Sequence, residues 1–434
     1  MAHQAHAIPW HALADNLKYL HCSPRNHGVT NLYLRKTKAQ KQVKELRHFV
    51  RGFVRALEDY VSVERKKYNE TPVAPEEDEI LIPDDRVRRI ARTALLQKGS
   101  ATVGSIAVSH SLDDITSCPL DSILSPYERS TKRFMRDTET NEGDMFSEAR
   151  EACELTKNML MYGEMDALFR LAAHPQVRFY RLWHEDHYAN SHGFGLYKLV
   201  QAALKAYICL NIITIKPELW DTASRDALIA TIAAYQHMLL DCTGMPYGYM
   251  CDAHTYPHRE FFGIPRGVFR FEYDDTRYGR WQKQHLGTQS IPELAHDSFR
   301  NIHIPSKRDI PVVINLLGKK GLPAELALQI MELAEYVPVG RLPVRDDPFH
   351  KDNADELKQY LGYCWKLLVR MDMLSKAGVH GRKLDWEAEV MDALYALFDM
   401  PCKTVFQTVE SWHEDWDFSN RMRKRVFAMD EPSK

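Results

Sequence analysis

The chain has 434 residues, of which 44% are hydrophobic and 27% are charged, ordinary values for a soluble globular protein. Its formal net charge of −2 excludes a general attraction to nucleic acid or to acidic membranes, while local basic patches stay possible. The length favours two or three domains over a single small core.

The cysteines and the N-terminus indicate an intracellular protein. The eight cysteines contain no CxxC pair, which favours reduced thiols over a disulfide framework. The N-terminus lacks a basic segment followed by an apolar one, so it does not resemble a secretory signal. The longest apolar run, residues 199–213, is interrupted by Lys205 and is too short to span a bilayer. We therefore expect a cytoplasmic or nuclear protein without a membrane span.

Residues 35–67 contain the first strong pattern. Apolar residues recur there at steps of three and four, which predicts one apolar face of a helix. They are Val43, Leu46, Val50, Phe53, Leu57 and Tyr60. Basic residues flank this stripe, and a basic amphipathic helix can contact nucleic acid, an acidic partner or a membrane surface. The candidate nucleic-acid contacts are Lys41, Lys44, Arg47, Arg51 and Arg55. The structural alternative is a surface helix with solvated charges.

The next segment is acidic and rich in prolines, and residues 69–85 are predicted to form an exposed linker. Within it, Ile80, Leu81 and Ile82 lie between acidic clusters and resemble a SUMO-interacting motif, in which a short apolar strand adds to a sheet edge. The alternative is a linker packed against the core. A short helix is predicted over Arg86–Gln97, followed by loops over residues 98–142.

Three apolar helical stretches follow and predict a shared core. Residues 145–174 form one or two helices broken near Gly163. Residues 195–215 form a buried helix that ends before Pro217. Residues 222–244 form a third helix, capped by Thr222 or Ser224 and stopped by a glycine.

The segment from residue 244 to residue 310 changes character, because glycine, proline and aromatic residues dominate it. Its one strand-like pattern is Val268–Tyr273, where apolar and polar residues alternate. A loop-rich segment of this length is predicted to be an excursion on the helical core or a functional surface.

Helices are predicted again over Pro323–Tyr336, Asp352–Lys376, Asp385–Phe398 and residues 409–427. The last of these has acids near its start and bases near its end, which suits a helix dipole. Its basic run, Arg421–Arg425, also suits a nuclear signal or a nucleic-acid contact.

The fold predicted from these patterns is mainly α. It has a multi-helix core, a loop-rich aromatic excursion containing a short strand, and a C-terminal helical segment. The predicted divisions are 1–70 (basic amphipathic helical region), 71–142 (acidic linker and loops), 143–315 (central helical domain) and 316–434 (C-terminal helical region).

The stretch GLPAELALQIMELAEY, Gly321–Tyr336, resembles the opening of an F-box: a Leu-Pro pair precedes a short helix whose apolar residues are spaced to pack on an adaptor. The matching positions are Leu322, Pro323, Glu325, Leu326, Ile330 and Leu333, with Cys364-Trp365 where F-boxes carry a small residue followed by tryptophan. The tryptophan comes later than in a compact F-box, and the module lies near the C-terminus. Residues 321–400 are also similar to a segment of filamentous-fungal proteins.

The F-box resemblance implies a substrate receptor that recruits a cullin–RING ubiquitin ligase through an adaptor, with residues 145–315 recognising the target. The implied interaction residues are Leu322, Pro323, Leu326, Ile330 and Trp365.

Two histidine clusters favour a different class of function, a metal-dependent enzyme. WHEDHYANSH contributes His184, His187 and His192. With Cys251, His254 or His258 these side chains can complete a zinc site, since zinc takes three or four N, S or O ligands. The spacing differs from that of the HExxH metalloproteases. The structural alternative is a set of helix caps and buried hydrogen bonds.

The second cluster, DAHTYPHREF, places His254 and His258 near Asp252 and Glu260, a combination able to do acid–base work. Phosphate-binding glycine loops and the GxSxG motif are absent from the sequence, which argues against a nucleotide-driven enzyme or a common serine hydrolase.

An intracellular protein-interaction or scaffold role is therefore the leading prediction. A metal enzyme and a nucleic-acid-associated factor are the alternatives. Whether His184 and His187 face the loop that carries His254 and His258 decides between the metal enzyme and a structural role for these histidines.

Overall fold

The structure is a computed structural model, and it describes most but not all of the chain. The described residues are 6–20, 31–34, 39–83, 85–86, 145–177, 179, 196–219, 229–244, 253–265, 267–269, 286–295, 305–334, 336, 340–400, 402–408 and 421–427.

Helices dominate this part of the chain. They are α1 (Trp10–Ala14), α2 (Ala39–Arg65), α3 (Met145–Tyr162), α4 (Met165–Ala173), α5 (Leu196–Ile215), α6 (Ala233–Thr243), α7 (His258–Phe262), α8 (Ile291–Leu294), α9 (Asp309–Lys319), α10 (Ala324–Leu333), α11 (Ala354–Ser375) and α12 (Trp386–Phe398). Short 3₁₀ turns lie at Pro217–Leu219, Ala253–Thr255 and Lys351–Asn353. The strands are β1 (Leu17–Leu20), β2 (Asn31–Leu34), β3 (Cys402–Thr408) and β4 (Arg421–Phe427), paired as two antiparallel hairpins. The predicted mainly α fold is confirmed.

Helix α5 is the centre of the core. It is apolar around most of its circumference, with Lys198 and Lys205 on the remaining side, so it is stable only when other elements enclose it. Helices α2, α6, α11 and α12 pack around it or against one another. Buried residues from all four predicted segments of the sequence join one hydrophobic cluster, while the predicted boundaries between those segments stay a prediction.

By length and composition, α5 is able to cross a membrane, but 78% of its apolar window is buried inside the protein. That burial is typical of a core helix. The described residues therefore show no clear membrane span.

Five aromatic rings from four helices pack against one another in the core. Tyr207 of α5 lies 5.2 Å from Trp365 of α11, 6.1 Å from Phe53 of α2 and 6.0 Å from Trp10 of α1, measured between ring centroids. Phe49 contacts Trp10 at 5.4 Å. Tilted and edge-on pairs of this kind add about 0.5–1.5 kcal/mol each to the free energy of burial. The N-terminal helices are thereby joined to the C-terminal half of the chain.

The predicted stripe of α2 is the face that meets this cluster. Five of its six residues are buried, and the sixth, Tyr60, is 40% exposed. Phe49 and Val61 are buried in addition, so the apolar face is wider than the pattern indicated.

Two predicted helix limits agree with the structure and one does not. Gly163 separates α3 from α4, and Gly244 ends α6, both as predicted. However, α6 begins at Ala233, because Ile232 is extended (ψ 123°) and interrupts a helical turn at 229–231. The proposed caps Thr222 and Ser224 lie outside the described residues.

A distant residue supplies the missing cap of α6. The side-chain oxygen of Asn31, at the start of β2, accepts a hydrogen bond from the backbone N–H of Ala234 at 2.8 Å. Both residues are buried, and the N–H of Ala234 belongs to the first turn of the helix, where no helical carbonyl is in reach. The N-terminal hairpin therefore completes a helix two hundred residues away in sequence.

The predicted helix over residues 409–427 is wrong at its C-terminal end. Residues 421–427 form β4, which pairs antiparallel with β3 in a register that runs from Cys402 opposite Phe427 to Thr408 opposite Arg421. The sequence of β3, CKTVFQT, is rich in β-branched and aromatic residues and supplies a pairing partner. The charge pattern that suggested a helix dipole is local, whereas strand pairing is decided by a segment elsewhere.

Further elements differ from the prediction, including the short helices α1, α7 and α8, which were not predicted. The hairpin β1–β2 and helix α9 were not predicted. Of the predicted strand at residues 268–273, only Val268 and Phe269 are described, and they lie in a bend after a turn at Gly267.

The buried hydroxyl of Tyr207 tests the packing of the aromatic cluster, because it has no hydrogen-bond partner among the described residues. A buried polar group without a partner costs about 1–3 kcal/mol. We therefore expect Tyr207→Phe to raise the free energy of unfolding by about 1 kcal/mol, measured by chemical denaturation. Tyr360→Phe is the matched control: it removes a hydroxyl that lies 2.5 Å from Nδ1 of His258, and it is expected to lower the same quantity by about 1 kcal/mol. A loss of stability in Tyr207→Phe would contradict this description.

Candidate functional site

Helices α9 and α10 form a helical hairpin joined by the turn Gly-Lys-Lys-Gly-Leu-Pro. The N–H of Gly321 donates to the carbonyl of Gly318 at 2.9 Å, and the N–H of Leu322 donates to the carbonyl of Leu317 at 3.3 Å. Gly321 has φ +85°, the left-handed conformation that this helix ending requires. Pro323 then precedes the first residue of α10. The Leu-Pro pair therefore has a structural explanation, because it lies between the end of α9 and the first residue of α10.

The hairpin leaves large apolar side chains in solvent. No residue of α9 is buried, and α10 buries only Ala327 and Met331. Six apolar side chains are between 42% and 87% exposed, and we call them the apolar hairpin surface. They are Val312, Leu316, Leu326, Leu328, Ile330 and Leu333.

This concentration of exposed apolar residues is unusual for a protein surface. The six residues are half of the twelve large hydrophobic residues that are exposed in the described chain. Single exposed apolar side chains are common, but a concentrated set marks a place where another molecule binds. The apolar hairpin surface is therefore the candidate functional site.

The structure separates the residues of the F-box resemblance into two groups. Leu326 and Ile330, together with Leu333, share one side of α10 by their spacing of four and three, and all three are exposed. Leu322 and Pro323 lie in the turn that precedes them. These positions adjoin one another on the hairpin, and adaptor binding through them stays a prediction.

Trp365 is the exception and has to be corrected as an interaction residue. Its side chain is fully buried between Tyr207 and Phe53, so no adaptor can reach it while the protein is folded. The sequence motif records a tryptophan after a small residue but carries no information about depth. The role of Trp365 is to fill the core.

The sequence did not indicate Val312, Leu316 or Leu328. The apolar run IPVVINLL was a possible signal for α9, but it contains a proline and few polar residues, so its periodicity is weak. Exposure of an apolar run depends on whether another element covers it, which local sequence does not report.

The segment proposed as a SUMO-interacting motif is packed against the core. Ile82 is 2% exposed and belongs to the main hydrophobic cluster, Leu81 packs against that cluster, and only Ile80 is exposed. Nearby, Glu79 forms a two-pronged ion pair with Arg170 at 2.6 and 2.7 Å. Strand addition through all three apolar residues would require Ile82 to leave the core, which corrects that prediction in favour of the packed linker.

The basic residues of α2 lie on its solvent side. Lys41, Lys44, Arg51 and Arg55 are exposed, and Arg47 is partly buried with its guanidinium 5.2 Å from the ring of Phe427. Lys41 lies 3.7 Å from Glu45, and Arg51 lies 3.8 Å from Glu387. Acidic neighbours thus offset part of this charge.

The two histidine clusters are described unequally. His184, His187 and His192 lie outside the described residues, as does Cys251, so their relation to the second cluster stays a prediction. Within the part of the chain that is described, no group of three or more His, Cys, Asp or Glu side chains is placed to hold a metal ion.

His258 is buried among aromatic rings. Its Nδ1 lies 2.5 Å from the hydroxyl of Tyr360, and His254 is buried nearby, one helical turn earlier in sequence. Burial lowers the pKa of His258 to about 3, and the neighbouring His254 and Lys157 act in the same direction. The imidazole is therefore neutral at physiological pH and serves as a hydrogen-bonding core residue.

The fold and this surface define a mainly helical protein with an exposed apolar hairpin. The chain belongs to the family described as "Gramillins biosynthetic cluster protein GRA5", whose model matches residues 11–412, and this is a family of fungal biosynthetic cluster proteins. No match was found among curated proteins or among solved structures.

The lowered pKa of His258 predicts a loss of stability in acid. The unfolded chain takes up a proton near the ordinary histidine pKa of 6.5, whereas the folded chain does so only near pH 3. The free energy of unfolding should therefore fall by about 1 kcal/mol per pH unit from this residue as the pH drops from 6.5 towards 3. Denaturation curves of wild type and His258→Gln across this range measure the difference.

His48→Gln, which removes an exposed histidine, is the matched control variant and is measured over the same pH range. Equal pH dependence in wild type and His258→Gln would contradict the description of a buried neutral imidazole.

Proposed function

We propose that the protein is an interaction protein that binds a protein partner through the apolar hairpin surface. The observation that supports this most directly is the exposure of Leu326, Ile330 and Leu333 on one side of α10. A partner that covers these side chains removes apolar area from water, which contributes about 25 cal/mol for each Å² buried.

The spacing of the exposed residues favours a helical partner. Leu326, Ile330 and Leu333 on α10 and the pair Val312 and Leu316 on α9 follow the steps of three and four that helices use to pack on helices. Pairs of helices in this arrangement interdigitate their side chains. The hairpin is short, so a partner helix of three turns suffices to cover either of its members.

The family description supports a setting for this role. It places the family in a biosynthetic cluster, and we infer that the chain serves such a cluster as an accessory or scaffold protein. The buried cysteines Cys209, Cys242 and Cys364 are not in disulfides, which is consistent with the predicted intracellular location.

The narrower role implied by the F-box resemblance would use the same surface. In that role, Leu326 and Ile330 contact the adaptor of a cullin–RING ubiquitin ligase. Their exposure supports the idea, but the burial of Trp365 removes one of its anchors, and the turn chemistry accounts for Leu322-Pro323 independently. Adaptor binding is therefore the second candidate.

The double variant Leu326→Gln with Ile330→Gln tests the proposal. Both side chains are exposed, so the helical circular dichroism and the melting temperature should stay near those of wild type. Binding to purified adaptor subunit and binding to a second copy of the chain are measured separately, by surface plasmon resonance on immobilised wild-type protein. At least one of the two is expected in wild type, and it should weaken about tenfold or more in the variant, since two apolar contacts are lost.

Val63→Gln is the control, because Val63 is an apolar residue of α2 that is 62% exposed outside the hairpin. Unchanged binding in the double variant, or binding of neither partner by wild type, would reject the proposed function.

A further inference from the structure

We propose that the partner bound by the apolar hairpin surface is a second copy of this chain, with α9 of each copy packed against α10 of the other. This inference rests on the proposed function and names its partner. The structure supplies the argument in the exposed charges near the apolar residues, because lysines are exposed at the two ends of α9 and glutamates are exposed on α10.

Helix α9 and its ends present positive charge to solvent. Lys307, Lys319 and Lys320 are exposed. The other two charged groups of this segment are engaged within the chain: the carboxylate of Asp309 accepts a hydrogen bond from the N–H of Ser306 at 2.6 Å, and Arg308 forms an ion pair with Asp352.

Helix α10 presents negative charge. Glu325 and Glu332 are exposed, and no basic residue occurs between residues 321 and 336. The exposed charged side chains at the two ends of α9 are therefore basic apart from the engaged Asp309, whereas those on α10 are acidic.

These charges are not used inside the hairpin. Within the described residues, neither Lys319 nor Lys320 forms an ion pair with Glu325 or Glu332, although α9 and α10 pack on each other. If the opposite charges served only to hold the two helices together, such pairs would be expected across the hairpin. They are available to a partner instead.

A second copy complements both helices at once. In a two-fold symmetric contact, each interaction occurs twice, so basic α9 meets acidic α10 of the other copy at both halves of the interface. The two hairpins then form a four-helix arrangement with the apolar residues inside and the charges at the rim. A partner of uniform charge would complement only one helix of the hairpin and would repel the other.

Charge reversal with mixing tests this inference on the full-length protein. The variants are Lys319→Glu with Lys320→Glu, which makes both helices acidic, and Glu325→Lys with Glu332→Lys, which makes both basic. Sedimentation velocity over a range of concentrations should show a wild-type dimer and about tenfold weaker association for each variant alone, because like charges then meet at the interface. An equimolar mixture of the two variants should recover association close to that of wild type, since acidic helices now meet basic ones.

The control carries the same charge change elsewhere. Lys44→Glu with Arg55→Glu alters exposed residues of α2 and should dimerise as wild type does. Circular dichroism of all variants checks that the fold is kept.

Three outcomes would overturn the inference. A wild-type chain that is monomeric at every concentration, yet binds the adaptor through Leu326 and Ile330, would leave the proposed function standing and reject the second copy as partner. A dimer that is insensitive to both charge reversals and to Leu326→Gln with Ile330→Gln would reject both, because association would lie elsewhere. Weakening of each variant without recovery in the mixture would show that the charges act inside one chain.

Discussion

The contact between Tyr207 and the rings of Trp365 and Phe53 is the interaction on which the rest of the core depends. Tyr207 lies in the middle of α5, a helix that is apolar except on the side of Lys198 and Lys205, where Lys205 pairs with Asp241. Every helix that encloses α5 has to present a complementary apolar face. Residues from near both ends of the chain meet at this point, so the N-terminal helices and the C-terminal half share one core.

The hairpin of α9 and α10 differs from α5, because its apolar side chains are exposed to solvent. Its residues are as apolar as those of a core helix, yet the fold leaves them uncovered. The same residue types therefore have two different consequences in one molecule, and the difference lies in what packs over them. In α5, neighbouring helices satisfy the apolar side chains internally, whereas α9 and α10, within the described residues, pack chiefly on each other.

The elements predicted correctly from the sequence are those determined by residues close to one another in the chain. The stripe of α2, the breaks at Gly163 and Gly244 and the end of α12 at Phe398 all arise from short-range patterns, and the structure contains them. The β3–β4 hairpin was missed because a strand depends on a partner segment, and the charge pattern of residues 409–427 fitted a helix equally well. The sequence also did not show which residues are buried. Trp365 and Ile82 were predicted to be contact residues, although both lie in the core. Half of the apolar hairpin surface, on α10, was indicated by the spacing of Leu326, Ile330 and Leu333, while the residues of α9 were not.

The cap that Asn31 provides for Ala234 has a consequence for the order in which the protein folds. During synthesis, the hairpin of β1 and β2 emerges long before the helix whose first turn it completes. Contacts between such distant parts of a chain form slowly, and until they form, the apolar face of α2 stays open to the wrong neighbours. The N-terminal region is therefore synthesised first, but its contacts with α6 can form only after the later helices of the core are present. A chain shortened at its N-terminus would lose more than a peripheral hairpin, because the N–H of Ala234 at the start of an internal helix would lose the Asn31 side chain as its acceptor.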